Sequence, residues 1–525
     1  MLIEVLLSQI KPSQEASGLL LGQFIEHLGR CIENGIWFYQ HTNKRLLNPP
    51  LDRIREDLFQ ALKLLSPPII RYPGGCFSDT YHWKDGIGNR NERPTRKNKA
   101  WNGIKNFRGR MGPIERNHFG TDEFLQLCEK LGCEAYLNVN YGSGTPQEAA
   151  EWVEYTNGDA NTTEFGAIRA KNGHPEPYNV RFWGIANEIY GFWETGYERK
   201  PAKYASRYLE FEAAMRDKDP SIKCVAVGCD SSSEWNQTLL GKIQGHVDFL
   251  AIHRYFGAKN IFFHFLGNDT PKTREYYHTL LNSSITFDRL LLSIENDIQQ
   301  ALGTNGLSSC KIAFDEWNVW ARYKQIYRAD NPNYDLAIGL WTALLLNTFI
   351  RHSNSVGLAN YAQMVNCLGM LLVYGENEGK VNDLIKQVPY HVFKVYRDAW
   401  LPFVLDVQYN APSIISKGLS KLFPPEKAPV IDIVALTSEN NGKISLFCVN
   451  RDFDHSHHFK INFSSQFILR EQTKIERIDI TCSSPFDSNT QENPSKIVPE
   501  YKKIDFNNLF QGIELPPHTI SIIGF

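Results

Sequence analysis

The stretch KIAFDEWNVW, Lys311 to Trp320, opens as a buried strand and ends in two carboxylates. Ile312, Ala313 and Phe314 form an unbroken apolar run. Asp315 and Glu316 follow at once, in the company of Trp317, Asn318 and Trp320. Acids ending an apolar run are costly to bury without a partner or a task. At the C-terminal end of a parallel strand they stand where α/β folds place their chemistry. A second stretch has the same form: RFWGIANEIYGFW, Arg181 to Trp193, delivers Asn187 and Glu188 at its strand end. Glu188 and Glu316 read as a catalytic pair. The plainer reading, two salt-bridged acids, has to be weighed against the rest of the chain.

Outward from these stretches, short apolar runs alternate with longer amphipathic segments. The runs are GLLLGQFIEH (18–27), IIRYPGG (69–75), CEAYLNVNYG (133–142), RFWGIANE (181–188), CVAVGCD (224–230), FLAIHRYF (249–256), KIAFDEW (311–317) and VGLANYAQ (356–363). Between them, LDRIREDLFQALKLL (51–65) is apolar at 51, 54, 58, 61, 62 and 65, a helical period. GTDEFLQLCEKLG predicts a helix with Thr121 as its N-cap. PQEAAEWVEYT predicts one with Pro146 in its first turn. Segments 204–217, 287–302 and 334–352 continue the alternation. Eight strand–helix units across about 370 residues predict an α/β fold, a (β/α)8 TIM barrel.

Beyond about residue 400, VIDIVALTS, GKISLFCVNRD, HHFKINFSS, TKIERIDITC and HTISIIGF are separated by Asn, Gly, Pro and Ser clusters. This predicts a C-terminal antiparallel β-sandwich of jelly-roll type. The N-terminal strand MLIEVLLS lies outside the eight and fits the sandwich. The predicted division is 18–385 for the barrel and 1–17 plus 386–525 for the sandwich.

Composition narrows the function. A formal net charge of −2 offers no footprint for nucleic acid or an anionic membrane. No run approaches the roughly 18 uncharged apolar residues of a transmembrane helix. MLIEVLLSQIKP has neither a basic leader nor a small-residue cleavage site. The 10 cysteines form no CxxC pair, and Cys224, Cys310 and Cys448 sit in or beside apolar runs as buried thiols. Cytoplasmic localisation is expected. His27, His82, His118 and His253 lack metal-ligand spacing, so neither metal nor other cofactor is expected. Aromatics make up 12% of the chain, enough for stacking on sugar rings as well as for a large core. The basic loop 86–103 follows the second strand, at the catalytic end.

The strand ends present Glu26 and His27, then Gly74, Gly75 and Cys76, then Asn138 and Asn140, Asn187 and Glu188, His253 and Tyr255, Asp315 and Glu316, and Gln363. Seven of eight strands ending in polar groups is more than packing asks for. Two carboxylates on well-separated strands suit glycoside hydrolysis, one protonated to donate and one ionised to attack. The acid among them is expected to titrate above an ordinary glutamate. Asp315, by strand alternation, is expected on the face opposite Glu316, anchoring the barrel wall.

The segments GQFIEHLGRCIENGIW, RYPGGCFSDTYHWKDGIG, NHFGTDEFL, WGIANEIYGFW, HRYF, AFDEWNVW and ANYAQMVN occur in an order that resembles the glycoside hydrolase family 51 α-L-arabinofuranosidases. The likeness runs from about Leu20 to Gln363 and continues through ISLFCVNRD and LPPHTISIIGF. It implies Glu188 as acid/base and Glu316 as nucleophile. It implies Glu26, Cys76, Asn187 and Gln363 as ligands of the furanose hydroxyls, and Tyr255 as a hydrogen-bond donor to the nucleophile. Trp101 and Trp320 would face the sugar. The resemblance also implies an arabinose-containing oligosaccharide as partner and a homo-oligomer, hexamer or trimer. Two departures stand out: Ala186 occupies a position where many members carry Gly, and IYGFWETGYERK lacks a His that some place there. Both lie where the leaving group is shaped. The expected activity is a retaining exo-α-L-arabinofuranosidase. The competing readings are a β-xylosidase or endo-β-glucanase on the same machinery, or a catalytically silent carbohydrate-binding protein.

Overall fold

The computed structural model describes residues 2–8, 14–39, 42–101, 114–257, 272–320, 334–375, 383–439, 442–464 and 474–525. The last two residues of the loop 86–103 therefore lie outside it. At its centre, eight parallel strands close into a barrel: Gly22–Phe24, Ile69–Tyr72, Glu134–Val139, Phe182–Ile185, Lys223–Val227, Phe249–Phe256, Lys311–Val319 and Val356–Ala362. The eighth pairs in parallel with the first, Asn360 opposite Gly22. Each strand leads to a helix on the outside, the last being Val388–Asp398. That helix lies beyond residue 385, where the sequence division ends the barrel, and it packs on the helices Glu56–Leu65 and Leu336–Arg351.

Side chains in the barrel interior lie in layers, as the two-residue strand period requires. Ile69, Tyr136, Phe182, Val225, Ala251, Ala313 and Leu358 form a closed apolar floor. Two residues further along the same strands stand Arg71, Asn138, His253, Asp315 and Asn360, all buried and all polar. The floor keeps water out from below, so chemistry is confined to the C-terminal rim.

Two local expectations are corrected. GLLLGQFIEH is only partly a strand: Gly18–Leu21 is a 3-10 turn whose first N–H groups Ser17 caps, and the strand keeps three residues. The helix Thr121–Leu131 is capped at Gly120, not Thr121. Glu123 reaches back to accept the Gly120 N–H at 2.9 Å, while the Thr121 hydroxyl accepts from the Trp152 indole at 3.1 Å.

The second unit is a nine-stranded ladder. Strand Phe403–Tyr409 turns its corner: its first half pairs with Ile431–Thr437 and its second half with Leu2–Ser8. The ladder thereby folds on itself, and Ile3, Val5, Leu7, Ile433, Leu446, Phe459, Ile461 and Ile523 share one core. It is antiparallel except where Leu2–Ser8 runs parallel to His457–Phe463. Strands Ile431–Thr437 and Ile444–Asn450 are buried throughout because their other face meets helix Leu336–Arg351. That helix is buried on every side from Leu336 to Ile350, as a helix clamped between two layers must be. Across the seam Asp432 accepts from Arg351 at 2.9 Å and from Asn347 at 2.7 Å.

Candidate active site

The two proposed catalytic strands differ from ideal strands in opposite ways. In the seventh, Ala313 pairs with Ala251 but Glu316 with His253, so one extra residue is inserted against the sixth strand. The same slip appears against the eighth strand between Phe314 and Trp317. The bulge removes the alternation between Asp315 and Glu316, and both point inward. Asp315 therefore does not anchor the outer wall. It is completely buried, accepting from Tyr136 Oη at 2.9 Å and facing His253 Nε2 at 3.1 Å and Arg71 Nε at 3.3 Å.

In the fourth strand the backbone turns left-handed just past Ile185, with φ of +84° at Ala186 and +39° at Glu188. Glycine adopts such values freely, whereas alanine is strained there. This gives a physical reason for glycine in resembling sequences. The turn is pinned by Tyr204 Oη on the Ile185 carbonyl (2.7 Å), Asn138 Nδ2 on the Ala186 carbonyl (3.2 Å) and the Gly191 N–H on the Glu188 carbonyl (2.7 Å).

The result brings Glu188 and Glu316 face to face. One carboxylate oxygen of each, with a ring nitrogen of His253, all lie within 4.8 Å of one another. Glu316 accepts from Arg71 Nη1 at 2.6 Å and from Tyr255 Oη at 2.8 Å, one on each oxygen. Arg71 Nη2 also holds Asn187 Oδ1 at 2.9 Å, and Asn187 Nδ2 donates to Glu194 at 3.1 Å. Glu188 meets His253 Nδ1 at 2.9 Å and accepts from the Trp193 indole at 3.1 Å. His253 is thus engaged at both ring nitrogens, by Glu188 and by Asp315.

Electrostatics reverse one expectation. Burial raises the Glu188 carboxyl, but His253, Trp193 and Arg71 outweigh it and hold the group below the ordinary glutamate value. Burial likewise opposes charge on His253, yet Glu316, Asp315 and Glu188 push the imidazole well above its usual value. The free site thus keeps its proton on His253 rather than on Glu188. Burial disfavours the Arg71 cation as well, and Asp315 and Glu316 override it.

Glu26 forms the opposite wall. Its carboxylate accepts the N–H groups of Gly75 and Phe77 at 3.1 Å, the Trp101 indole at 3.3 Å and Gln363 Nε2 at 3.1 Å. Burial, then Glu316, still raises it to about 8. The close approach explains the Gly74–Gly75 pair: a Cβ at Gly74 would fall 2.5 Å from Glu26 Cγ, and one at Gly75 2.6 Å from Glu316 Oε1. Cys76 is half-buried, its thiol pushed up by burial and then by Glu194 and Glu26. Trp320 meets Tyr255 edge-on at 5.3 Å. All nine residues singled out in the sequence stand on this rim. The sequence reading missed Arg71 and Glu194. Arg71 had a signal, a lone cation inside the apolar strand IIRY.

Residues 61–270 match the family model described as alpha-L-arabinofuranosidase 1 domain, and 315–519 the alpha-L-arabinofuranosidase C-terminal domain. The chain is 36% identical over 397 residues to a probable alpha-L-arabinofuranosidase C of Aspergillus fumigatus, covering 72% of this chain and 71% of that one. It is 29% identical over 516 residues to an intracellular exo-alpha-L-arabinofuranosidase of Bacteroides ovatus, covering 95% and 91%. Among solved structures, the thermostable family 51 alpha-L-arabinofuranosidase of Thermotoga petrophila superposes over 100% of both chains with a TM-score of 0.84 at 30% identity.

Proposed function

The chain belongs to the glycoside hydrolase family 51 α-L-arabinofuranosidases, and we propose that it releases terminal α-L-arabinofuranosyl residues from arabinose-bearing oligo- or polysaccharides by double displacement, with Glu188 as acid/base and Glu316 as nucleophile. The observation that carries the reading is the spacing of the two carboxylates, with oxygens within 4.8 Å. Retaining pairs stand about 5–5.5 Å apart, whereas inverting pairs need about 6.5–9.5 Å to admit a water.

In the first step Glu316 attacks the anomeric carbon while Glu188 gives its proton to the departing oxygen. In the second, Glu188 takes a proton from water, and that water displaces Glu316 from the same carbon. Arg71 and Tyr255 hold one Glu316 oxygen each and so fix the direction of attack. His253 acts as a positioning residue. As Glu316 spends its charge on carbon, the field that keeps the proton on His253 weakens, and the proton can pass through Glu188 to the leaving oxygen. Glu26, Gln363, Asn187 and Cys76 hold the furanose hydroxyls. Trp101 and Trp320 wall the pocket.

Two tests decide. Proton NMR of the first-formed arabinose should show the α anomer; first-formed β anomer would sink the retaining mechanism. Glu316→Gln should lose turnover and keep arabinose binding. A wild-type chain that binds sugars and cleaves none supports the carbohydrate-binding reading instead. Paired aryl arabinofuranoside, xyloside and cellobioside assays rank the sugar. A homo-oligomer, hexamer or trimer, belongs to the same proposal and is checked by light scattering. Cytoplasmic localisation is supported by the Bacteroides relative being called intracellular. Among the described residues no helix is long and apolar enough to cross a membrane.

A further inference from the structure

One carboxyl of the rim has no step in the double displacement. Glu194 is 5% exposed, and a carboxyl so buried is costly unless hydrogen bonds hold it or a task keeps it. Its Oε1 accepts from Asn187 Nδ2 at 3.1 Å. The Cys76 thiol bonds the same carboxyl. Burial, then the charges of Glu188 and Asp79, push Glu194 well above the usual glutamate range, so it stands as a neutral acid. The backbone that carries it is fixed apart from the side chain. The Glu194 N–H donates to Gly191 O at 3.0 Å, and the Tyr197 N–H donates to Glu194 O at 3.2 Å. The turn also lies close against Gly142, where a Cβ would come 3.0 Å from the Gly196 nitrogen.

These bonds continue an arc that starts at the nucleophile. Arg71 Nη1 holds Glu316 Oε1 at 2.6 Å, and Arg71 Nη2 holds Asn187 Oδ1 at 2.9 Å. A guanidinium only donates, so Asn187 must turn its carbonyl to Arg71 and its NH₂ to Glu194. That NH₂ has two hydrogens. Glu194 takes one, and the other is left for a sugar hydroxyl. Asn187 is thus gripped at both ends of its amide, which packs on Gly75, where a Cβ would come 3.3 Å from Oδ1 and 3.4 Å from Nδ2. We propose that Glu194 is a positioning residue acting through Asn187: it fixes the amide plane, and with it the remaining N–H that meets a furanose hydroxyl beside the reacting carbon. This rests on Asn187 being a sugar ligand. Such a bond tightens as charge develops in the transition state, so its loss falls on kcat more than on KM.

The test is a double-mutant cycle. Glu194→Met keeps an unbranched side chain of similar length and removes the acceptor. With an aryl α-L-arabinofuranoside, kcat/KM should fall about tenfold, near the worth of one hydrogen bond, mostly in kcat and with Tm unchanged. Glu194→Gln, which keeps a carbonyl acceptor, should restore most of that loss. In an Asn187→Ala chain, itself slower, Glu194→Met should cost less than about twofold more, because its route is already gone. Full additivity of the two losses overturns the proposal, as does a Glu194→Met loss that persists in Asn187→Ala and vanishes in Cys76→Ala. A second arm needs no turnover. L-Arabinose titrated by calorimetry should bind about threefold more weakly to Glu194→Met than to wild type, with no such difference in the Asn187→Ala background. Equal affinity overturns the proposal, and so does a wild-type chain that binds no arabinose. If the wild-type chain binds arabinose and cleaves no arabinofuranoside, the proposed activity fails while this binding arm still decides Glu194.

Discussion

Asp315 and Glu316 are adjacent in sequence, yet both carboxylates face the barrel interior, because the bulge in their strand cancels the usual alternation. Glu316 is left at the rim. Asp315 sits beneath it as the fixed negative charge that Arg71 and His253 share.

Asp315→Asn should therefore harm both stability and catalysis. Removing one partner from a buried charge network costs about 3–5 kcal/mol. Loss of the hydrogen-bond geometry behind His253 should lower kcat about 10²-fold. Thermal unfolding and steady-state rates measure the two effects. Wild-type values in both would mean that the charge beneath the rim is dispensable.

Glu188 and Glu316 should separate by leaving group. In Glu188→Gln, kcat/KM for a saccharide leaving group should drop about 10²–10⁴-fold, the usual worth of general acid catalysis. A dinitrophenyl glycoside, whose phenolate leaves without a proton, should be far less affected in the first step. Glu316→Gln should silence both. Equal losses on both substrates in Glu188→Gln would remove its role as acid.

The His253–Glu188 pair should confine stability to a pH window. The folded Glu188 value is depressed, so its contribution is present above the unfolded glutamate value of 4.5 and is lost as pH falls through the folded value. The folded His253 value is raised, so its contribution is complete below 6.5 and is lost as pH rises through the folded value. The plot of Tm against pH should decline on both flanks. His253→Asn should flatten the alkaline flank specifically, and an unaltered flank would assign that decline elsewhere.

Glu26 trades stability for binding. Its folded value near 8 exceeds the unfolded 4.5, so the folded chain holds the extra proton between them and stability falls as pH rises through that window. Glu26→Gln should remove this fall, because Gln363, whose Oε1 lacks a partner, can turn its amide to accept from the new NH₂ group. Activity should drop about 10²-fold with the lost hydroxyl ligand. Tm at pH 8 and kcat/KM should move in opposite directions; a matched fall in both would refute the trade.

Ala186→Gly should relieve the left-handed backbone. Strain of about 1–2 kcal/mol is released, and the added unfolded-chain entropy of glycine takes back about 0.5–1 kcal/mol. A small rise in Tm is expected, together with a lower kcat as the Glu188 turn loosens. Calorimetry and rates at one pH test both, and a lower Tm would show that the turn is unstrained.

The eight barrel strands and six of the nine ladder strands could be read from sequence because each holds an apolar or alternating run between polar breaks, whereas Phe403–Tyr409, Glu500–Asp505 and Ile513–Leu515 were not read. What escaped reading was register. One inserted residue decides which way Asp315 points, and a single sequence carries no mark of where a partner strand slips. Arg71 was visible as an oddity in IIRY, but its partners Asn187 and Glu316 lie 116 and 245 residues away, and only barrel closure brings them together. Thr121 looked like a cap because the residue that does cap, Glu123, acts backward across a turn on a glycine with no side chain to announce it. Helix Val388–Asp398 hid behind the change of texture near residue 400, although Val388, Val392 and Tyr396 recur at a helical interval and are buried.

The strand Leu2–Ser8 lies between Phe403–Tyr409 and His457–Phe463. Its partners are translated about 400 residues after it, which at roughly 5–20 residues per second is on the order of 20–80 s later. For that interval Ile3, Val5 and Leu7 have no sheet to enter, while the barrel strands can already find one another. The ribosome thus imposes an order of assembly: the barrel closes first, and the strand made before it is docked only when the last sheet emerges.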